Sequence, residues 1–282
     1  MMRILLPTDF SKNAWHAIQY AIYLFDSIPC HFYVLHAHQV SPSGLVSTIN
    51  KEHDTRLYEI TQSEAKQKLD KIIKRLTTIN KVARHQFEGL LESDTLLNAL
   101  GRNVIDQDID FVFMGTQGAS GMKEVFLGSN TVKVIRNIDN CPVMVVPEQY
   151  EIGLYKEILF ATDYKHYYKK AELKPLLDLV SITRASLRVA HISEEESLDE
   201  EQQQLKKLLE GFLAGMEYRF EDLAYYPDVS ARIREWSAET HAGMLAMINS
   251  QHGFFSRITR DPVVKRIAFH TEVPFLVLPV IP

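Results

Sequence analysis

A chain of 282 residues with 46% hydrophobic and 24% charged residues has the composition of a globular protein, and its length suits two domains of ordinary size. Its 31 Lys and Arg against 36 Asp and Glu leave a net charge of −5, which argues against gripping a nucleic-acid backbone. No apolar run reaches the roughly 20 residues of a membrane helix, and Cys30 and Cys141 stand outside any paired motif, so neither a disulfide scaffold nor a cysteine zinc site is expected. The opening Met1 to Pro7 runs into a strand rather than a signal peptide, so the chain reads as soluble and cytoplasmic.

Short apolar runs at 4–7, 32–36, 83–87, 111–114 and 143–146 suit buried parallel strands. Between the first two, Ala14, Ala17, Ile18, Ala21, Ile22 and Phe25 keep helical spacing behind Ser11, a suitable N-cap. Leu57, Ile60, Ala65, Leu69, Ile72, Ile73 and Leu76 predict a longer amphipathic helix. A third helix follows from Leu96, Leu97, Leu100, Val104 and Ile105, and a fourth from Val132, Ile135 and Ile138. Five strands with four crossover helices predict an open, doubly wound α/β sheet that binds ligands beyond the carboxyl ends of its strands.

The plan is then written again. Arg3 to Phe10 returns as Glu157 to Tyr164, Phe32 to His36 as Leu187 to His191, and Cys141 to Pro147 as Val273 to Pro279. The spacing shrinks by about 22 residues between the second and last strands, so the second copy has a shorter middle. Two tandem, five-stranded, doubly wound domains are expected, residues 1–149 and 153–282, joined near 148–155. The acidic stretch 194–201 falls where the second copy's second helix begins and suits a solvated first turn.

The segment after the fourth strand carries the chemistry. Gly115 and Gly118 are followed by nine residues, then Gly128, Ser129, Asn130 and Thr131 at the start of the fourth helix. Glycines admit positive φ and close ligand approach, and a fresh helix N-terminus offers N–H groups and a positive dipole to an anion. Ser129 and Thr131 can add hydroxyl donors. The same residues also suit a plain glycine-rich loop with Ser129 or Asn130 capping the helix. Asp9 ends the first strand, where its carboxylate suits a ribose hydroxyl, a phosphate-bound metal, or simply an Asx turn. The second strand ends at Leu35, His36 and Ala37 beside the same crevice. His36 and His38 share a strand face, too few for a metal site, so His36 and its counterpart His191 read as structural. No Gly-x4-Gly-Lys-Ser/Thr loop, Gly-x-Gly-x2-Gly turn or nucleophile elbow is present.

These pieces together resemble the universal stress protein family of the adenine-nucleotide-binding kind. The family's Gly-x2-Gly-x9-Gly-Ser/Thr motif is matched by Gly115, Gly118, Gly128 and Ser129, and the runs 4–11 and 141–147 also look like family signatures. The resemblance implies a site at Pro7, Thr8 and Asp9, with Asp9 at the ribose or at an Mg or Mn ion on the phosphates. It implies that Ala37 and Met114 meet adenine through backbone atoms. Gly115, Gly118, Gly128, Ser129, Asn130 and Thr131 would wrap ribose and phosphates, although the family usually has an apolar residue where Asn130 stands.

Counting back from Pro142 and Pro274 sets Met247, Ser250, Arg260 and Asp261 in the places of Gly115, Gly118, Gly128 and Ser129. The second copy therefore reads as a structural partner of the first, with Asp163 in a turn and Arg260 able at most to hold a smaller anion. The expected function is binding of ATP or a related adenine nucleotide in the first domain, as a regulatory ligand in a stress response. A slow metal-dependent ATP hydrolase and a nucleotide-free interaction module are the alternatives. The expected partners are the nucleotide and the other domain, with a homodimer also admitted, and neither nucleic acid nor membrane.

Overall fold

In a computed structural model of the chain, residues 1–38, 51–80, 84–116, 128–153, 155–192, 197–223, 228–249, 264, 267 and 271–281 are described. Strands and helices alternate as β1 (Met2–Pro7), α1 (Lys12–Leu24), β2 (Cys30–Ala37), α2 (Lys51–Ile79), β3 (Gln86–Glu92), α3 (Leu96–Asp106), β4 (Phe111–Gly115), α4 (Ser129–Asn137) and β5 (Val143–Val146). The second half repeats them as β6 (Glu157–Thr162), α5 (Lys170–Thr183), β7 (Ser186–Ile192), α6 (Glu200–Phe212), β8 (Tyr218–Leu223), α7 (Val229–Glu239), β9 (Met244–Ile248) and β10 (Phe275–Leu278). The shortened middle is visible in α6, 13 residues against 29 in α2.

Among the described residues the ten strands form one sheet in the order β3-β2-β1-β4-β5-β10-β9-β6-β7-β8. Each half is parallel within itself, and the two meet edge to edge where β5 and β10 pair antiparallel, Val145 opposite Phe275 and Val143 opposite Val277. The two tandem five-stranded sheets expected from sequence are thus joined, and pairing their inner edges satisfies backbone groups that would otherwise lie open.

Alternate strand residues point to opposite faces. Ile4, Leu6, Phe32, Val34, Phe111 and Phe113 pack under α1 and α2, and Ile158, Phe160, Leu187 and Val189 under α5 and α6. Leu5, Leu35, Val112 and Met114 pack against α3 and α4 on the other face, where α7 covers Leu159 and Ala190. Both faces are thus covered, which is why the central strands β1, β4, β5, β6, β9 and β10 are apolar at nearly every position.

Two local expectations change and a third is met in part. The third strand is Gln86–Glu92 rather than 83–87, because its pairing with β2 runs from His31–Gln86 to Ala37–Glu92. Ile60 and Ile105 fit the helical spacing but are exposed at 48% and 70%, lying off the core stripe. The acidic stretch does open a helix: Asp199 caps α6, its Oδ1 accepting from the Gln202 N–H at 2.7 Å, with Glu200 and Glu201 in the first turn, while 193–196 lie outside the described residues.

Candidate functional site

The strand order reverses between β1 and β4: α1 leaves one face of the sheet and α4 the other, the switch point beyond whose strand ends doubly wound sheets bind ligands. The turn after β1 is tightly held. Thr8 donates its N–H to the Leu35 carbonyl at 2.8 Å, and its hydroxyl accepts from the Phe10 N–H at 3.0 Å. Phe10 takes the left-handed conformation, φ 65°. Asp9 Oδ1 accepts from the Ser11 N–H at 3.0 Å, the Asx turn weighed from sequence, yet Asp9 remains exposed. Ser11 then caps α1 by accepting from the Ala14 N–H at 3.1 Å, as its position predicts.

The end of β2 is locked to that turn. His36 Nδ1 lies 2.8 Å from the Thr8 carbonyl oxygen. A carbonyl only accepts, so Nδ1 carries the proton. Burial holds His36 below the usual imidazole range, with the Thr8 carbonyl opposing the shift. Its ring packs against Phe10 at 4.3 Å between centroids, and Lys68 Nζ from α2 stands 5.7 Å from the Phe10 ring centre. His36 is thus held by a bond to the turn that sequence does not reveal. His36 and His38 stack at 5.9 Å, on one strand face as expected, and no group of three metal-ligating residues occurs among the described residues. Ala37 is half-buried at the strand's last position.

At the end of β4, Met114 and Gly115 are buried. A Cβ on Gly115 would lie 2.6 Å from Asn13 Cγ, and the Asn13 amide donates to Thr116 Oγ1 at 3.3 Å. Glycine is needed at 115 for close approach, not for positive φ. Thr131 is buried and donates its hydroxyl to the Gly115 carbonyl at 3.0 Å, while the Gly128 N–H donates to the Thr116 carbonyl at 2.7 Å. The Thr131 hydroxyl, expected as a ligand donor, thus ties the two ends of the loop together. Gly118 and the rest of 117–127, Lys123 included, lie outside the described residues.

Gly128 is the N-cap of α4 at φ −56° and ψ 140°, with no side-chain cap bond. Neither Ser129 nor Asn130 is the cap, and positive φ, one reason for a glycine here, is not used. Ser129 and Asn130 are exposed in the first turn. The first helical bond runs from the Val132 N–H to the Gly128 carbonyl at 3.2 Å. The preceding N–H groups lie at the positive end of the helix dipole, beside the end of β4.

The second half keeps the turn and changes its surroundings. Thr162 Oγ1 accepts from the Tyr164 N–H at 3.1 Å, Tyr164 has φ 52°, and Asp163 Oδ1 accepts from the Lys165 N–H at 3.0 Å. Asp163, however, is 5% exposed, and its carbonyl accepts from the buried Gln202 amide at 3.0 Å. Here α5 begins only at Lys170, and the longer connection buries Tyr168 against Phe160 and Thr162. Ile281 crosses the start of α5, its N–H donating to fully buried Glu172 at 3.0 Å and its carbonyl accepting from Lys169 Nζ at 2.6 Å.

Strand register corrects one correspondence. Gly115 pairs with Val146, and Ile248 with Leu278; Leu5 pairs with Val112, and Leu159 with Leu245. Ile248, not Met247, therefore stands in the place of Gly115, and a side chain fills that position either way. Residues 250–263, which hold the counterparts of the other glycines, lie outside the described residues.

Residues 1–147, just over half of the chain, match the model of the universal stress protein family. The chain is 28% identical over 145 residues to universal stress protein MJ0531 of Methanocaldococcus jannaschii, covering 51% of this chain and 81% of that one. It is 27% identical over 162 residues to MJ0577 of the same organism, covering 51% and 93%. A solved universal stress protein from Archaeoglobus fulgidus matches at a TM-score of 0.71 and 20% identity over 98% of each chain, sharing the whole two-part fold. The chain belongs to the universal stress protein family.

Proposed function

We propose that residues 1–149 form a domain that binds one adenine nucleotide, ATP or a close relative, at the carboxyl ends of β1, β2 and β4. The observation that carries this reading is the N-terminus of α4, whose cap has no side chain, set beside the glycine-ended β4. Such an end attracts phosphate through backbone donors and the helix dipole. Asp9 takes the ribose or a phosphate-borne ion, and the backbone of Ala37 and Met114 takes the base. Gly115, Gly118, Gly128, Ser129 and Asn130 line ribose and phosphates. One exposed carboxylate suits Mg or Mn that arrives on phosphates, since magnesium commonly takes one or two protein carboxylates and keeps the rest of its shell.

The nucleotide acts as a regulatory ligand in a cytoplasmic stress response, setting conformation or partner binding, and residues 153–282 serve as a second, degenerate domain. Efficient phosphoryl transfer needs a positioned nucleophile and cationic stabilisation; hydrolysis should stay far below the roughly 1 s⁻¹ of slow ordinary enzymes. Native mass spectrometry and calorimetry with ATP, ADP and AMP test the reading. One bound nucleotide per chain is expected; two equivalent sites, or none, would overturn it.

A further inference from the structure

We infer that His36 is a positioning residue of the nucleotide site, a role that rests on the nucleotide reading above. The bond from His36 Nδ1 to the Thr8 carbonyl, 2.8 Å, completes the polar satisfaction of Thr8. Its N–H is held by Leu35 and its hydroxyl by the Phe10 N–H. With all three groups engaged, the Thr8–Asp9 peptide has one orientation, and that orientation sets where the Asp9 carboxylate enters the site. His36 also precedes Ala37, the residue whose backbone faces the base, so one side chain ties the ribose side of the site to the base side. Phe10 against the ring at 4.3 Å and Lys68 beyond Phe10 keep the imidazole in place.

The second half supplies an internal contrast. Tyr164 stacks on His191 at 4.9 Å, and Lys206 Nζ lies 5.6 Å from the Tyr164 ring centre, again an aromatic, a histidine and a lysine in that order. Yet His191 Nδ1 lies 3.4 Å from Asp222 Oδ1 on the neighbouring strand instead of on a turn carbonyl. The stack is common to both halves; the bond to the turn carbonyl accompanies the exposed Asp9. The stack alone therefore serves the fold, and the bond serves the site.

The test is ATP titration by calorimetry on the full chain, with thermal melting measured alongside. His36→Phe keeps a ring and removes the donor, so affinity should fall by about tenfold, the scale of one hydrogen bond to a binding turn. His36→Asn keeps a donor near the Nδ1 position and forfeits the stack, so affinity should stay near wild type even where the melting temperature drops. His191→Phe should leave affinity unchanged. Unchanged affinity in His36→Phe, equal losses in both His36 variants, or an equal loss in His191→Phe would each overturn the role while leaving the site standing. A wild-type chain that binds no ATP would remove the nucleotide reading and this role together.

Discussion

The turn after β1 and the turn after β6 share a threonine, an aspartate and a left-handed aromatic, yet the aspartate of one is exposed and that of the other is buried. Phe10 and Tyr164 have φ of 65° and 52°, and both aspartates accept from the N–H two residues on. Asp9 is exposed, whereas Asp163 is buried and its carbonyl accepts from the buried Gln202 amide. The turn is thus a requirement of the strand-to-helix connection, and access is what separates a candidate site from a structural joint. An aspartate at a strand end says little until its surroundings are known.

The largest expected effect comes from making the first half resemble the second. Gly115→Ile puts the residue found at 248 where a Cβ meets Asn13 at 2.6 Å. Overpacking of this kind typically costs about 1–3 kcal/mol, and displacing Asn13 and Thr116 should weaken ATP binding about a hundredfold, some 2.7 kcal/mol. Calorimetry with an unchanged affinity would remove the end of β4 from the site.

The two aspartates should then respond in opposite ways. Asp9→Ala should weaken ATP binding about tenfold with little change in melting temperature. Asp163→Ala should leave affinity alone and destabilise by about 1–2 kcal/mol, the scale of a lost turn or cap acceptor in a buried setting. Reversed outcomes would assign the working half wrongly.

Acid should weaken both halves. Burial lowers the pKa of His36, His85 and His191 in the folded chain. Below about pH 6.5 the unfolded chain binds protons that the folded chain resists. Stability is therefore full above that pH and falls as pH drops further, so melting temperature should be lower at pH 5.5 than at pH 7.5. A flat profile, or one that rises toward acid, would contradict this.

The smallest effect sharpens the contrast at α4. Gly128 is an N-cap without a side chain in a conformation any residue adopts. Gly128→Ser supplies a cap acceptor, raising stability by a few tenths of a kcal/mol. The same hydroxyl competes with phosphate for the first-turn N–H groups, so ATP affinity should fall a few-fold while the melting temperature rises. A rise in both would show that these donors do not serve the ligand.

Much of the architecture was legible because it rests on periodicity. The repeat, the helix behind Ser11 and the strands at 4–7, 32–36, 111–114 and 143–146 follow from apolar spacing and a cap. The third strand slipped because Gln86–Glu92 is an edge strand of mixed polarity that its pairing with β2 defines. The displacement of one residue at Gly115 arose because a gapless count from proline cannot see ladder register, which the hydrogen bonds fix. Asn13 and Thr131 were missed as a pair that shapes the end of β4. Their only trace in sequence is a polar side chain on a face that is otherwise apolar, and only the fold says what it meets.

The seam between β5 and β10 also changes how the protein responds to dilution. Two halves that recognise each other as free molecules would separate as concentration falls. Here a ten-residue connection from Pro147 to Lys156 carries the second half, so its local concentration is on the order of millimolar whatever the abundance of the chain. Because the seam is antiparallel, the two sets of strand ends point to opposite ends of the sheet. The carboxyl ends of the first half's strands therefore lie on the side where the second half presents the starts of its strands. Pairing of the two halves is therefore built in at synthesis.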